Sequence, residues 1–215
     1  MEISLSKIPN IERYKIVVWF PVIYGFYFFN LFPGLVFILV LLGLYEIASR
    51  PPISSWTIIA SFHMISFWSI LSFPIQEIWL LLIVVFVNDA MAFFGGKYLN
   101  IFPWMKKNIF HPISPKKTFG GFLYGLFAGS IAGIIVIDFF ELQLNVPSLL
   151  LVSSLCCAGV LGDLLNSKFQ RHYKIKDSGQ NLLTGKLMFD HSGIYDRFDA
   201  ISLACLYWLG FKFLF

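Results

Sequence analysis

Residues Ile16 to Tyr45 read IVVWFPVIYGFYFFNLFPGLVFILVLLGLY, thirty positions without a charged side chain. A helix crosses roughly 30 Å of hydrocarbon with about 20 largely apolar residues, so thirty are too many for one straight span. Asn30 and Phe32-Pro33-Gly34 supply a turn in the middle. The stretch predicts two spans, at 15–31 and 34–49. Pro51-Pro52 then breaks the chain, and the hydropathy pattern predicts further spans at 54–74, 77–96, 119–138, 147–167 and 198–214.

The composition agrees. Of 215 residues, 58% are hydrophobic, 13% are charged and 25 are Phe. A soluble domain carries about twice that share of charge, so a soluble globular enzyme, a disordered chain and a fibrous chain are all excluded. The expectation is one all-α, polytopic integral membrane domain over 1–215, of about seven transmembrane helices. Residues 1–14 alternate apolar and charged positions, and read equally as an interfacial helix or a polar lead-in. No cleavable leader is expected, because the first apolar run begins at Ile16 with no small-residue cleavage site after it. Cys156, Cys157 and Cys205 lie in apolar runs, as packing residues rather than a disulfide or metal framework.

Seven alternating spans sort the loops onto two sides. The N-terminus and the loops near 50, 97–118 and 168–197 hold 15 of the 16 Lys and Arg, and Lys212 alone falls on the other side. Positive loops stay in the cytoplasm, so this side is expected to be cytoplasmic and the host membrane the inner, cytoplasmic one. The net charge of +4 is accounted for by these loops, and no nucleic-acid partner is expected.

Polar groups at membrane depth are costly. Asp89, Asp163, Asp196 and Asp199 come from three spans and lie toward the same membrane face as the basic loops. Carboxylates, water and phosphate oxygens together meet the octahedral demand of Mg²⁺, and nearby lysines neutralise further phosphate charge. The pattern reads as phosphate or nucleotide chemistry at a membrane surface. In the first loop, Ser114-Pro115-Lys116-Lys117-Thr118 precedes a Gly-Gly start to a helix. That arrangement suits either a phosphate site at a helix N-terminus or a basic membrane anchor. The second loop carries Ser167, Arg171, Lys176, Asp177 and His191. His191 reads as a hydrogen-bonding loop residue or as a contact to phosphate or to metal-bound water. His63 and His172 read as structural. The glycines at 121, 125, 129 and 133 form a stripe for close helix packing, inside the bundle or in a homodimer.

Over residues 85–205 the sequence resembles the CDP-diacylglycerol synthase (phosphatidate cytidylyltransferase) family. The resemblance rests on several stretches in the family's order. They are Asp89, Ser114-Pro115-Lys116-Lys117-Thr118, Gly162-Asp163-Leu164, Ser167, Arg171, Lys176-Asp177-Ser178-Gly179, His191, Gly193 and Asp196-Arg197-Phe198-Asp199. The chain departs from the family at Gly120 and Asn166, where the family has Glu, at Gln170, where it has Lys, and at Ser192, where it has Gly. Extra residues lie around Thr184 to Phe189.

The resemblance implies transfer of a cytidylyl group from CTP to phosphatidic acid or a related lipid phosphate, giving CDP-diacylglycerol and pyrophosphate. It implies Mg²⁺, with room for a second cation, on Asp163 and Asp196 with Asp199 in support. Catalytic roles are expected for Asp163, Asp196, Asp199, Lys176, Arg197 and His191. Substrate contacts are expected from Asp89, Ser114, Lys116, Lys117, Thr118, Ser167, Arg171 and Asp177. Three other readings stay open: a CTP-dependent lipid kinase, a transporter using buried carboxylates, and a non-catalytic relative.

Overall fold

The computed structural model describes residues 30–50, 53–111, 113–142, 145–179 and 193–214. These residues form helices and no named strand. The helices are α1 (Phe32–Ala48), α2 (Ser55–Ser66), α3 (Ile75–Tyr98), α4 (Phe119–Phe139), α5 (Val146–His172) and α6 (Tyr195–Leu214), with 3₁₀ turns at Phe67–Ser72 and Pro103–Lys106. Six of the seven expected spans fall on these helices, and the first, 15–31, lies outside the described residues, as does the segment 1–14. Among the described residues α3, α4 and α5 are long and apolar enough to cross a membrane, and α1 is a shorter apolar helix.

Two boundaries differ from expectation. The span at 54–74 is not one α-helix. It tightens to a 3₁₀ turn after Ser66, whose hydroxyl donates to the carbonyls of His63 (2.5 Å) and Ser202 (2.9 Å). Helix α5 runs five residues past 167, so Lys168, Gln170 and Arg171 sit on a helix and not in a loop. It ends at Lys174 in the left-handed region (φ 53°). There the Ile175 N–H reaches the Gln170 carbonyl (3.0 Å) and the Lys174 N–H reaches Arg171 (3.2 Å), the bond pair of a Schellman stop. That stop sends Lys176, Asp177 and Ser178 back toward the bundle.

Helix α4 has opposite faces of opposite size. Phe127, Ile131, Ile135 and Phe139 point outward, while Gly121, Gly125, Gly129 and Gly133 are buried. A Cβ on Gly121 or Gly125 would lie 2.6 Å from the carbonyl oxygen of Ala92 or Asn88 on α3. The glycine stripe is thus used inside the bundle, letting α3 and α4 touch backbone to backbone. At the end of the bundle remote from the aspartates, Glu77 on α3 pairs with Lys212 on α6 (2.6 Å). Cys156 and Cys205 are buried, Cys157 is half-buried and all three are free thiols, as expected for packing residues.

Gly125→Ala is expected to lower the thermal unfolding temperature in detergent, because over-packing a tight contact costs about 1–3 kcal/mol. Gly210→Ala on α6, where a Cβ meets nothing within 4 Å, should leave it unchanged or raise it, since Ala favours the helix. A dye that reacts with the buried thiols as they become exposed reads both.

Candidate functional site

Helix α5 carries two adjacent polar stripes. Asp163, Ser167 and Arg171, spaced one turn apart, face an open cavity. Asn166 and Gln170 face α6 instead, where they meet Asp196 and Asp199. Asp163, Ser167, Arg171, Asp196 and Asp199, expected to form one site, are divided by the fold between a wet wall and a packed floor.

The cavity has a volume of about 830 Å³, within the usual range for small-molecule sites. Asp89 and Lys97 come from α3, Ser114 to Thr118 from the connection ahead of α4, and Lys176 and Asp177 from the turn after α5. Ten of the expected residues therefore share one wall: Asp89, Ser114, Lys116, Lys117, Thr118, Asp163, Ser167, Arg171, Lys176 and Asp177. Five cations (Lys97, Lys116, Lys117, Arg171, Lys176) face three carboxylates (Asp89, Asp163, Asp177), so the space carries a positive excess suited to a polyanion. Lys117 Nζ sits 2.5 Å from an Asp163 oxygen. Apolar Val85, Phe93, Phe110 and Phe122 line the same space.

Thr118 has a structural duty as well. It is the N-cap of α4, accepting from the Gly121 N–H (3.1 Å), and it accepts from Asn100 (3.1 Å). Asn100 also fills the space beside Gly120. A Cβ there would lie 2.0 Å from Asn100 Oδ1, so this chain has no room for a Glu at that position without moving Asn100.

On the floor, both oxygens of Asp196 are engaged. Oδ1 accepts from Asn166 (2.9 Å) and Gln170 (2.6 Å), and Oδ2 from the backbone N–H groups of Ser178 (2.8 Å) and Gly193 (3.0 Å). Asp199 accepts from Asn166 (2.7 Å) and from the Ala200 N–H (2.6 Å). Neither Asp196, Asp199 nor Arg197 is in the cavity wall, although Ala200 is. Among the described residues no three His, Cys, Asp or Glu side chains converge as a metal cage. Two observations nonetheless fit a hard cation. Asp163 offers a carboxylate to the cavity, and Asn166 Oδ1 is buried with no hydrogen-bond partner. His191 lies outside the described residues. His63 and His172 are structural as expected: His63 Nδ1 meets the Tyr195 hydroxyl (3.1 Å), and the His172 ring lies against Trp56.

Glu46 on α1 is the residue that sequence reasoning missed. It is 1% exposed and accepts from the Ser178 hydroxyl (2.9 Å) and from the N–H groups of Ile194 (2.7 Å) and Tyr195 (3.0 Å). One turn on, Arg50 donates to the Ser178 carbonyl (2.8 Å). Ser178 thus has its N–H, hydroxyl and carbonyl all held, and Gly193 leaves space for the Glu46 carboxylate where a Cβ would sit 2.3 Å from Oε2. The only signal in the sequence was a single Glu closing the thirty-residue charge-free run.

The model of the cytidylyltransferase family matches residues 13–214. Phosphatidate cytidylyltransferase of Staphylococcus haemolyticus (strain JCSC1435) is 40% identical over 119 residues, covering 55% of this chain and 42% of that protein. The proteins of the same name from Staphylococcus aureus (strain COL) and Staphylococcus epidermidis (strain ATCC 12228 / FDA PCI 1200) are 39% and 36% identical over the same lengths. The match therefore spans less than half the length of these relatives.

Glu46→Ala is expected to strip the acceptor from three buried donors, at about 1–3 kcal/mol each, and to lower the unfolding temperature in detergent well below that of Glu46→Gln, which keeps one carbonyl acceptor. Equal unfolding temperatures for wild type and Glu46→Ala would contradict the network.

Proposed function

This chain belongs to the cytidylyltransferase family, and we propose that it transfers the cytidylyl group of CTP to phosphatidic acid or a closely related lipid phosphate, releasing pyrophosphate and CDP-diacylglycerol. The observation that carries this reading is the cavity wall, where Asp163 and Lys117 stand together among four further cations. The activity for which the staphylococcal relatives are named supports it.

The chemistry asks little of a base. The attacking lipid phosphate is already an anion, and its oxygen attacks the α-phosphorus of CTP as the bond to the departing pyrophosphate breaks. What must be overcome is repulsion between two polyanions and the charge on the transferring group, which positioning and fixed cations relieve. Lys97, Lys116, Lys117, Arg171 and Lys176 are the cations available on the wall. Ser114 and Ser167 add hydroxyl donors. Asp163 and Asp196, with Asp199 in support, would hold Mg²⁺, which supplies charge neutralisation at phosphate oxygens when bound. Lys117, paired to Asp163 in this structure, would then turn to the nucleotide. His191 and Arg197 keep the catalytic roles that the resemblance implies. The basic end of the bundle would face the cytoplasm, so that CTP arrives from water and the lipid from the leaflet.

Purified protein in detergent, given phosphatidic acid, Mg²⁺ and CTP labelled at the α- or γ-phosphorus, tests the reaction. Label from the α-position is expected in the lipid phase, abolished by chelator. Label from the γ-position in lipid would mark a lipid kinase and overturn the proposal. Asp163→Asn should lower transfer by about 100-fold or more with an unchanged unfolding temperature; retained turnover would remove Asp163 from the mechanism.

A further inference from the structure

Between α3 and α4 the chain exposes an apolar surface that neither the bundle nor the cavity uses. Leu99, Ile101, Phe102, Trp104 and Ile109 are all exposed, Ile101 by 76%. The surface is fixed in place. The Phe102 and Trp104 rings stack at 6.1 Å and 9°, and Trp104 rests on Phe119 (5.7 Å). The Phe119 N–H bonds the Lys107 carbonyl (2.9 Å), and the Tyr124 hydroxyl bonds the Leu99 carbonyl (2.9 Å). Met105 points inward against Gly120 while its neighbours point out. An exposed apolar patch of this kind marks a protein or membrane contact.

The charge around it says what. Lys106 and Lys107 are exposed beside the rings, and Lys97 is held over the rings of Phe93 (5.6 Å) and Tyr98 (4.8 Å) while also lining the cavity. No Asp or Glu occurs from residue 90 to residue 137, a stretch with five lysines. Rings whose faces suit the headgroup level, with lysines able to reach lipid phosphates, are the chemistry of a bilayer interface. The loop is also joined directly to α3 and α4, both long and apolar enough to span.

We propose that residues 99–109 form an interfacial anchor, with Ile101, Phe102 and Trp104 sunk into the leaflet and Lys106 and Lys107 on anionic headgroups. This sets the mouth of the cavity, marked by Lys97, at headgroup depth. A nitroxide on Ile101→Cys, in a Cys157→Ala background reconstituted into vesicles, tests it through collisions with membrane-dissolved oxygen and with a water-soluble nickel chelate. The label is expected to favour oxygen, as is one at outward-pointing Phe127→Cys on α4. A label favouring the chelate like one at Lys116→Cys, or shielded from both by protein, would overturn the proposal. The same label at Ile109→Cys provides a second reading if Ile101→Cys disturbs the fold. Adding anionic lipid should raise the oxygen preference, and Lys106→Glu with Lys107→Glu should remove that rise; a rise that persists would overturn the role of these lysines. The probe reports depth and not turnover, so its outcome is independent of which reaction the cavity runs.

Discussion

A buried carboxylate at the end of α1 holds the candidate site together. Glu46 takes the Ser178 hydroxyl and the first N–H groups of the segment entering α6. Polar oxygens this deep are tolerated only when donors fill them, and here three donors do. The consequence reaches across the sequence. Ser178 is fixed by Glu46 and Arg50, and its N–H then bonds Asp196, which fixes the start of α6 against α5. The floor carboxylates Asp196 and Asp199 thus lie on a segment held by a residue more than a hundred positions upstream.

The floor shows how this chain manages acidic side chains in a small space. Asn166 sends one amide nitrogen to both Asp196 and Asp199, and Gln170 adds a second donor to Asp196. A Glu at 166 would place a third carboxylate against these two and demand a cation to offset it. A Lys at 170 would bring that charge. The two departures from the resembled family thus meet on one aspartate, where a neutral amide pair stands in for an acid and a base. Asp163, one turn away on the wet stripe, keeps its carboxylate toward the cavity beside Lys117.

Much of the fold was legible because hydrocarbon imposes length and apolarity on each span, and the described helices lie where those runs were read. The glycine spacing on α4 pointed to close packing, but only the neighbours Asn88 and Ala92 assign that packing to the bundle. The basic loops and Asp163 with Ser167 were legible because like chemistry recurs at helical spacing. Glu46 was not, since a lone acid at the end of an apolar run looks like a helix terminus meeting water; its partners are distant in sequence and mostly backbone. The division of the aspartates was also hidden, because it depends on which side of α5 each neighbour occupies. The end of α5 was misplaced for a local reason: the polar residues after Ser167 look like a loop, yet packing of Phe169 in the core carries the helix on to His172.

The proposed reaction requires one cavity, walled by Asp163 and Lys117, to receive both nucleotide and metal. Crystals grown with CTP and Mn²⁺ in place of Mg²⁺ test it by anomalous scattering at the manganese edge. A peak in contact with Asp163 is expected, with triphosphate density running toward Lys116, Lys117 and Arg171. Nucleotide density outside this cavity, or a manganese peak remote from Asp163 with CTP bound, would contradict it.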